Sequence, residues 1–144
     1  CYMIEPSEHN LKCGEENFKL NNMKGIFVKG VVGQDNMRID DFIRERRIET
    51  IHILHADIEG RELEMLRSCE EVIKKNKIWY FFISTHSQKL HYECISFLKK
   101  HGFVIIASAD FEYETYSYDG VLVARSGKIK GADPIKIHVR RKSQ

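Results

Sequence analysis

Residues 51–66 constrain the fold more than any other stretch of this chain. Ile51-His52-Ile53-Leu54-His55-Ala56 is nearly continuous in apolar character. Such a run predicts a strand buried on both faces, as in a parallel sheet. Asp57, Glu59 and Gly60 then make an acidic turn, and Leu63, Leu66, Cys69 and Ile73 recur at helical spacing. That spacing predicts one helix over residues 61–75. Glu62 and Glu64 in its first turn and Lys74-Lys75 in its last suit the helix macrodipole. A strand, an acid at its carboxyl end and a helix N-terminus together make the place where open α/β sheets bind ligands.

The same alternation runs along the whole chain. Strands are predicted at residues 1–4, 26–32, 51–56, 78–83, 103–107 and 121–124. Helices are predicted after Ser7 (residues 10–18), after Asp40-Asp41 (residues 42–47), at 61–75, and after Ser87, where Leu90, Cys94, Phe97 and Leu98 form a stripe. Alternating strands and helices predict a mostly parallel sheet with helices on both faces. No helix pattern separates the last two strands, so these are expected to pair antiparallel.

With 144 residues, the chain suits one domain able to bury a real core. No apolar run approaches the roughly 20 residues of a membrane helix, so no membrane partner is expected. Residues 1–12 turn polar at once, unlike a signal peptide. Cys1, Cys13, Cys69 and Cys94 form no Cys-x-x-Cys pair, which argues against zinc of that type and fits a reducing cytoplasm. Cys69 and Cys94 fall on apolar helix faces and read as small buried hydrophobes. The net charge of +2 hides an asymmetry: residues 125–144 carry +6 and the rest −4. The basic segment reads as a solvated tail, and the acidic body argues against a nucleic-acid partner.

Three residues stand where chemistry is expected. Glu5 ends the first strand before Pro6, where an acid can accept ribose hydroxyls; its bland alternative is an exposed turn carboxylate. Asp57 ends the third strand, where it can face a ligand or serve the helix start. His86 ends the aromatic strand, where a histidine can act as a general base or help begin the next helix. Neighbouring parallel strands would bring Asp57 and His86 to one rim. For Glu59 the expected role is capping. Period-2 alternation would align His55 with Asp57 and Glu59, yet no His-x-x-x-His spacing supports a metal, and none is expected. Phe111, Tyr113, Tyr116 and Tyr118, interleaved with Asp110, Glu112, Glu114 and Asp119, make an aromatic loop. It suits a ligand or lid surface, or equally a twisted hairpin with cross-strand aromatic pairs.

These residues resemble the FkbM family of S-adenosylmethionine-dependent methyltransferases. The resemblance rests on Ile4-Glu5-Pro6, Ile39-Asp40-Asp41-Phe42, Asp57-Ile58-Glu59-Gly60-Arg61-Glu62 and His86-Ser87, in the family's order, over residues 2–125. It implies a Rossmann-like class I methyltransferase sheet, α/β, mostly parallel with an antiparallel C-terminal strand. Two positions depart from the family: His55 stands where many relatives have Lys, and Ser84 where they have Glu. The family's first strand and its glycine-rich turn have no counterpart, since no G-x-G-x-x-G loop occurs in the sequence. The chain is therefore expected to be a partial FkbM-like domain (residues 1–126) followed by a basic tail (127–144). The place of the central strand would be a gap, a sheet closed differently, or a site filled by a partner chain in an oligomer.

By resemblance, the cofactor is S-adenosyl-L-methionine and the acceptor a hydroxyl of a small molecule or sugar. Glu5 would hold the cofactor ribose. Asp57 would lie beside the methyl donor, and His86 would be the base or the acceptor-orienting group. The main alternative is a non-catalytic remnant of the fold that binds cofactor poorly. A different Rossmann-type nucleotide binder is disfavoured by the missing glycine loop, and a nucleic-acid module by the lack of any recognised motif.

Overall fold

The computed structural model describes residues 1–33, 35–112 and 118–137. The elements run β1 (Tyr2–Glu5), α1 (Glu8–Leu20), β2 (Ile26–Lys29), α2 (Ile39–Glu45), β3 (Ile51–Ala56), α3 (Glu62–Ser68), α4 (Glu70–Lys74), β4 (Ile78–Thr85), α5 (Gln88–Lys100), β5 (Phe103–Ala109) and β6 (Gly120–Ser126). β1 and β2 form a parallel pair; the other strands form a four-stranded sheet in the order β3-β4-β6-β5. β3 and β4 are parallel, while β6 lies between β4 and β5 and is antiparallel to both. The expected antiparallel C-terminal strand is thus present.

Local chemistry explains the helix starts. Ser7 and Ser87 each accept the backbone N–H of the third residue on, Asn10 at 3.3 Å and Leu90 at 3.2 Å. Gly102, with φ at +80°, ends α5 in the left-handed conformation that favours glycine. On α5, Leu90, Cys94 and Leu98 are buried against the sheet with Phe81, Leu122 and Ala124. Burial pushes the Cys94 thiol up to about 12 and raises Cys69 as well, in keeping with inert core cysteines.

Three expectations are corrected. The single helix over 61–75 is broken at Cys69 into α3 and α4. The cause lies on another element. Asp40 does not precede α2 but sits inside its first turn, buried, and its two carboxylate oxygens accept the amides of Val72 (2.9 Å) and Glu71 (3.1 Å). This satisfies a fresh set of N-terminal amides and starts a second helix. Arg38 pairs with the same carboxylate at 3.2 Å. Replacing Asp40 with alanine should therefore lower stability by about 1–3 kcal/mol, because buried donors lose their acceptors. Denaturant unfolding checks this; a change within experimental error would show that α4 needs no cap.

The second correction concerns β3, which is not buried on both faces. Ile53 is 59% exposed, and its sheet neighbours on the same face, Phe82 and Val121, are 37% and 36% exposed. The helices expected over that face do not cover it among the described residues. Residues 127–137 approach its margin instead: Ala132 donates to the Tyr80 hydroxyl at 3.4 Å. The third correction concerns the predicted strand at 26–32, which ends at Lys29.

Among the described residues no hydrogen-bonded pairing joins β1 to β3. Between them lies an apolar cavity of about 430 Å³, lined by Tyr2 and Ile4 on one side, by every residue of β3 on the other, and by Ile39, Phe42 and Ile43 of α2.

Candidate active site

The strand register brings four segments to one rim. β3 and β4 run in the same direction with Ala56 opposite Ile83, so Asp57 and His86 leave the sheet at adjacent strand ends. β6 is antiparallel, with Gly120 opposite Thr85, so Asp119 enters the sheet at that same rim. Glu62 arrives as the first residue of α3.

His86 is the centre of this group, and its side chain is only 15% exposed. Its Nε2 lies 3.2 Å from Asp57 Oδ1, and 3.7 Å from both Glu59 Oε2 and Asp119 Oδ1. Its Nδ1 lies 2.9 Å from Glu62 Oε1. Partial burial alone would lower the affinity of the imidazole for a proton. The Glu62 charge and hydrogen bond, with Asp119 and Glu59 behind them, outweigh it and leave the His86 pKa raised above 6.5. Proton NMR should therefore show His86 titrating above that value; a midpoint at or below it would mean that the carboxylates do not govern the ring.

The acidic turn is built differently from expectation. Glu59 does not cap α3. It adopts a left-handed φ of 53°, and its side chain points to solvent, 90% exposed. The amides of Ile58 and Gly60 are accepted instead by Glu62 Oε1, at 3.3 and 3.2 Å. Gly60 has φ at +91°, a conformation that favours glycine. His55 is not in the group; it lines the cavity between β1 and β3.

Glu5 stands at the carboxyl end of β1, as expected. Its Oε1 accepts the Ser7 amide at 2.8 Å and the Asn10 side chain at 3.3 Å, so it also shapes the start of α1. Among the described residues Oε2 takes no hydrogen bond. Of the aromatic loop, Phe111 and Tyr118 are described and Tyr118 is almost fully exposed. Tyr113, Glu114 and Tyr116 lie outside the described residues. Gln88 anchors the start of this loop by accepting the amides of Phe111 and Glu112, both at 3.1 Å, and by donating to Asp110 at 2.8 Å. His91 is buried between Thr85 and Ser108, with its nitrogens 2.8 and 2.9 Å from their hydroxyls.

The sequence profile of the methyltransferase FkbM domain matches residues 2–105. The chain belongs to the FkbM methyltransferase family. No curated protein matches it. Solved structures do. Streptococcus pneumoniae Sp1610, named as a candidate tRNA (m1A22) methyltransferase and solved with S-adenosyl-L-methionine, is 16% identical with a TM-score of 0.56. That match covers 91% of this chain and 56% of Sp1610. The human methyltransferase 10 domain containing protein is 12% identical with a TM-score of 0.58, over 89% of this chain and 61% of the other. The delta-N METTL16 methyltransferase domain is 11% identical with a TM-score of 0.55, over 88% and 61%. At these identities the likeness concerns fold: a Rossmann-like class I methyltransferase architecture. This FkbM-family chain spans 56–61% of the length of those structures. Among the described residues, no helix is long and apolar enough to cross a membrane.

Proposed function

We propose that this FkbM-family domain serves S-adenosylmethionine-dependent O-methyl transfer to a hydroxyl of a small molecule or sugar. The observation that carries the reading is the placement of Asp57 and His86 on one rim, 3.2 Å apart, within a family whose members transfer methyl groups. Two residues present suit the cofactor as the family resemblance implies: Glu5, with one oxygen outside its hydrogen bonds to Ser7 and Asn10, would hold the ribose hydroxyls, and the half-exposed Asp57 would face the methyl donor. When bound, S-adenosylmethionine supplies a methyl carbon on a positively charged sulfur that departs with the bonding electron pair.

The chain's own residues then have two tasks. Asp57 and the surrounding carboxylates align donor and acceptor, and such alignment contributes up to roughly 7–11 kcal/mol. His86 takes the hydroxyl proton as the oxygen bonds to the methyl carbon, which adds about 10²–10⁴-fold in rate. The negative rim repels polyanions and suits a neutral acceptor with a cationic donor. The expectation against a nucleic-acid acceptor draws on the acidic body of the sequence; the name of Sp1610 points the other way, so an acceptor screen needs a tRNA arm beside sugars and small alcohols.

The alternative, a chain that retains cofactor poorly, draws on the cavity between β1 and β3. Calorimetry with S-adenosylhomocysteine separates the two. The comparison is between this chain alone and a protein extended before Cys1 by an aliphatic strand and glycine-rich turn of the family kind. Weak or absent binding is expected for the former and clear binding for the latter, lost on replacing Glu5 or Asp57 with alanine. An extended protein that binds no S-adenosylhomocysteine would sink the methyl-transfer reading.

A further inference from the structure

We infer that Glu62 is the positioning residue of this site, one buried carboxylate oxygen that holds both the His86 ring and the turn carrying Asp57. The inference rests on the methyl-transfer reading for its purpose, but its geometry stands apart from that reading.

Glu62 is wholly buried, and a buried carboxylate is costly unless well paired. Its hydrogen bonds are unevenly divided. Oε1 accepts from Ile58 N–H, Gly60 N–H and His86 Nδ1, at 3.3, 3.2 and 2.9 Å. Oε2 is buried with no hydrogen-bond partner among the described residues. A carboxylate kept only to start a helix would gain more from solvent or from both oxygens bonded. Here the bonds converge on the oxygen that faces the rim.

The chemistry follows from donor and acceptor types. An ionised carboxylate only accepts, and the ring's shortest contact, 2.9 Å from Nδ1 to Glu62 against 3.2 Å from Nε2 to Asp57, favours the proton of the neutral ring on Nδ1. Nε2 is then left with a lone pair, directed among Asp57, Glu59 and Asp119. This is the form a general base requires. The two amide bonds act on the other half of the site. Glu59 and Gly60 are consecutive left-handed residues, and their turn is closed against the same oxygen. Losing Glu62 would release the ring and loosen the turn together.

The charged groups facing the ring are Asp57 and Glu59 from the turn after β3, Glu62 from α3 and Asp119 before β6; the Cys94 thiol of α5 lies within the field of Glu62. Removing the Glu62 charge takes away the largest influence favouring protonation and leaves burial opposed only by Asp119 and Glu59, so the ring should bind its proton less tightly.

The test is nitrogen NMR of the His86 ring in this chain alone, with Glu62→Ala and Glu62→Gln. In the wild type, the neutral ring should carry its proton on Nδ1. In Glu62→Ala, that preference should be lost and the titration midpoint should fall. Glu62→Gln keeps a carbonyl acceptor, so it should retain the Nδ1–H form while the midpoint still falls; it also serves if the alanine variant does not fold. In the extended protein, Glu62→Gln should move the acid limb of kcat/KM to lower pH, with KM for the cofactor little changed. Glu64→Gln, on the exposed ion pair with Arg61, should change none of these. A wild-type ring protonated on Nε2, or a midpoint and acid limb unmoved in Glu62→Gln, would overturn the inference. Absence of turnover with intact ring signals would count against methyl transfer instead.

Discussion

Replacing His86 with alanine is expected to lower turnover of the extended protein about 10²–10⁴-fold, the range a positioned base supplies. Release of S-adenosylhomocysteine reads this once the screen has yielded a productive acceptor. The pH profile sharpens the expectation. A base works in its neutral form, and the His86 pKa is raised above 6.5. Activity should therefore climb as pH rises through that raised value and fall away below it. Stability should run the other way. A group whose folded pKa is raised contributes fully below its unfolded pKa of about 6.5, and the contribution is lost as pH rises through the folded value. The protein should thus lose some stability over the pH range in which its base becomes competent. An alanine variant with unchanged turnover near neutral pH would remove His86 from the proton transfer.

The second large effect belongs to the cavity between β1 and β3. Joining an aliphatic strand and glycine-rich turn before Cys1 should fill a volume of about 430 Å³ and pair two strand edges that meet no partner among the described residues. The stability gain should be on the order of 2–5 kcal/mol, similar to the cost of emptying a large core position. At roughly 2–4 °C per kcal/mol for a chain of this size, thermal melting resolves it easily. Affinity for S-adenosylhomocysteine should rise at least 100-fold with it, since the strand brings β1, with Glu5, into one sheet with β3, which ends at Asp57. A melting temperature that does not rise on extension would mean that β1 and β3 do not need a strand between them.

Much of this architecture was legible in the sequence because strand ends are legible. The apolar runs before Asp57 and His86 set their positions, and parallel pairing of successive strands set them side by side. The separation of β1 from β3 was one of three outcomes the family resemblance left open. What escaped was contact across space. Glu62 looked like one more acid in a first turn, because nothing in its neighbourhood announces a histidine 24 residues away. Asp119 joined the rim only through the register of β6, which strand propensity does not specify. The break at Cys69 depended on Asp40, 31 residues before Glu71. The open face of β3 was missed for a related reason: an apolar run shows that a strand can be covered on both sides, not that a helix is there to cover it.

The two-strand unit of β1 and β2 also bears on motion. α1 buries none of its residues fully, and the fully buried side chains belong to α3 and later elements. Such a unit should open at a lower free energy than the β4–β6–β5 core, and its amides should exchange with deuterium sooner. Glu5 rides on the soft half and Asp57 with His86 on the firm one. A ligand that touches both would slow exchange in β1 far more than in β4, so the protection pattern would report how the halves are coupled through the ligand.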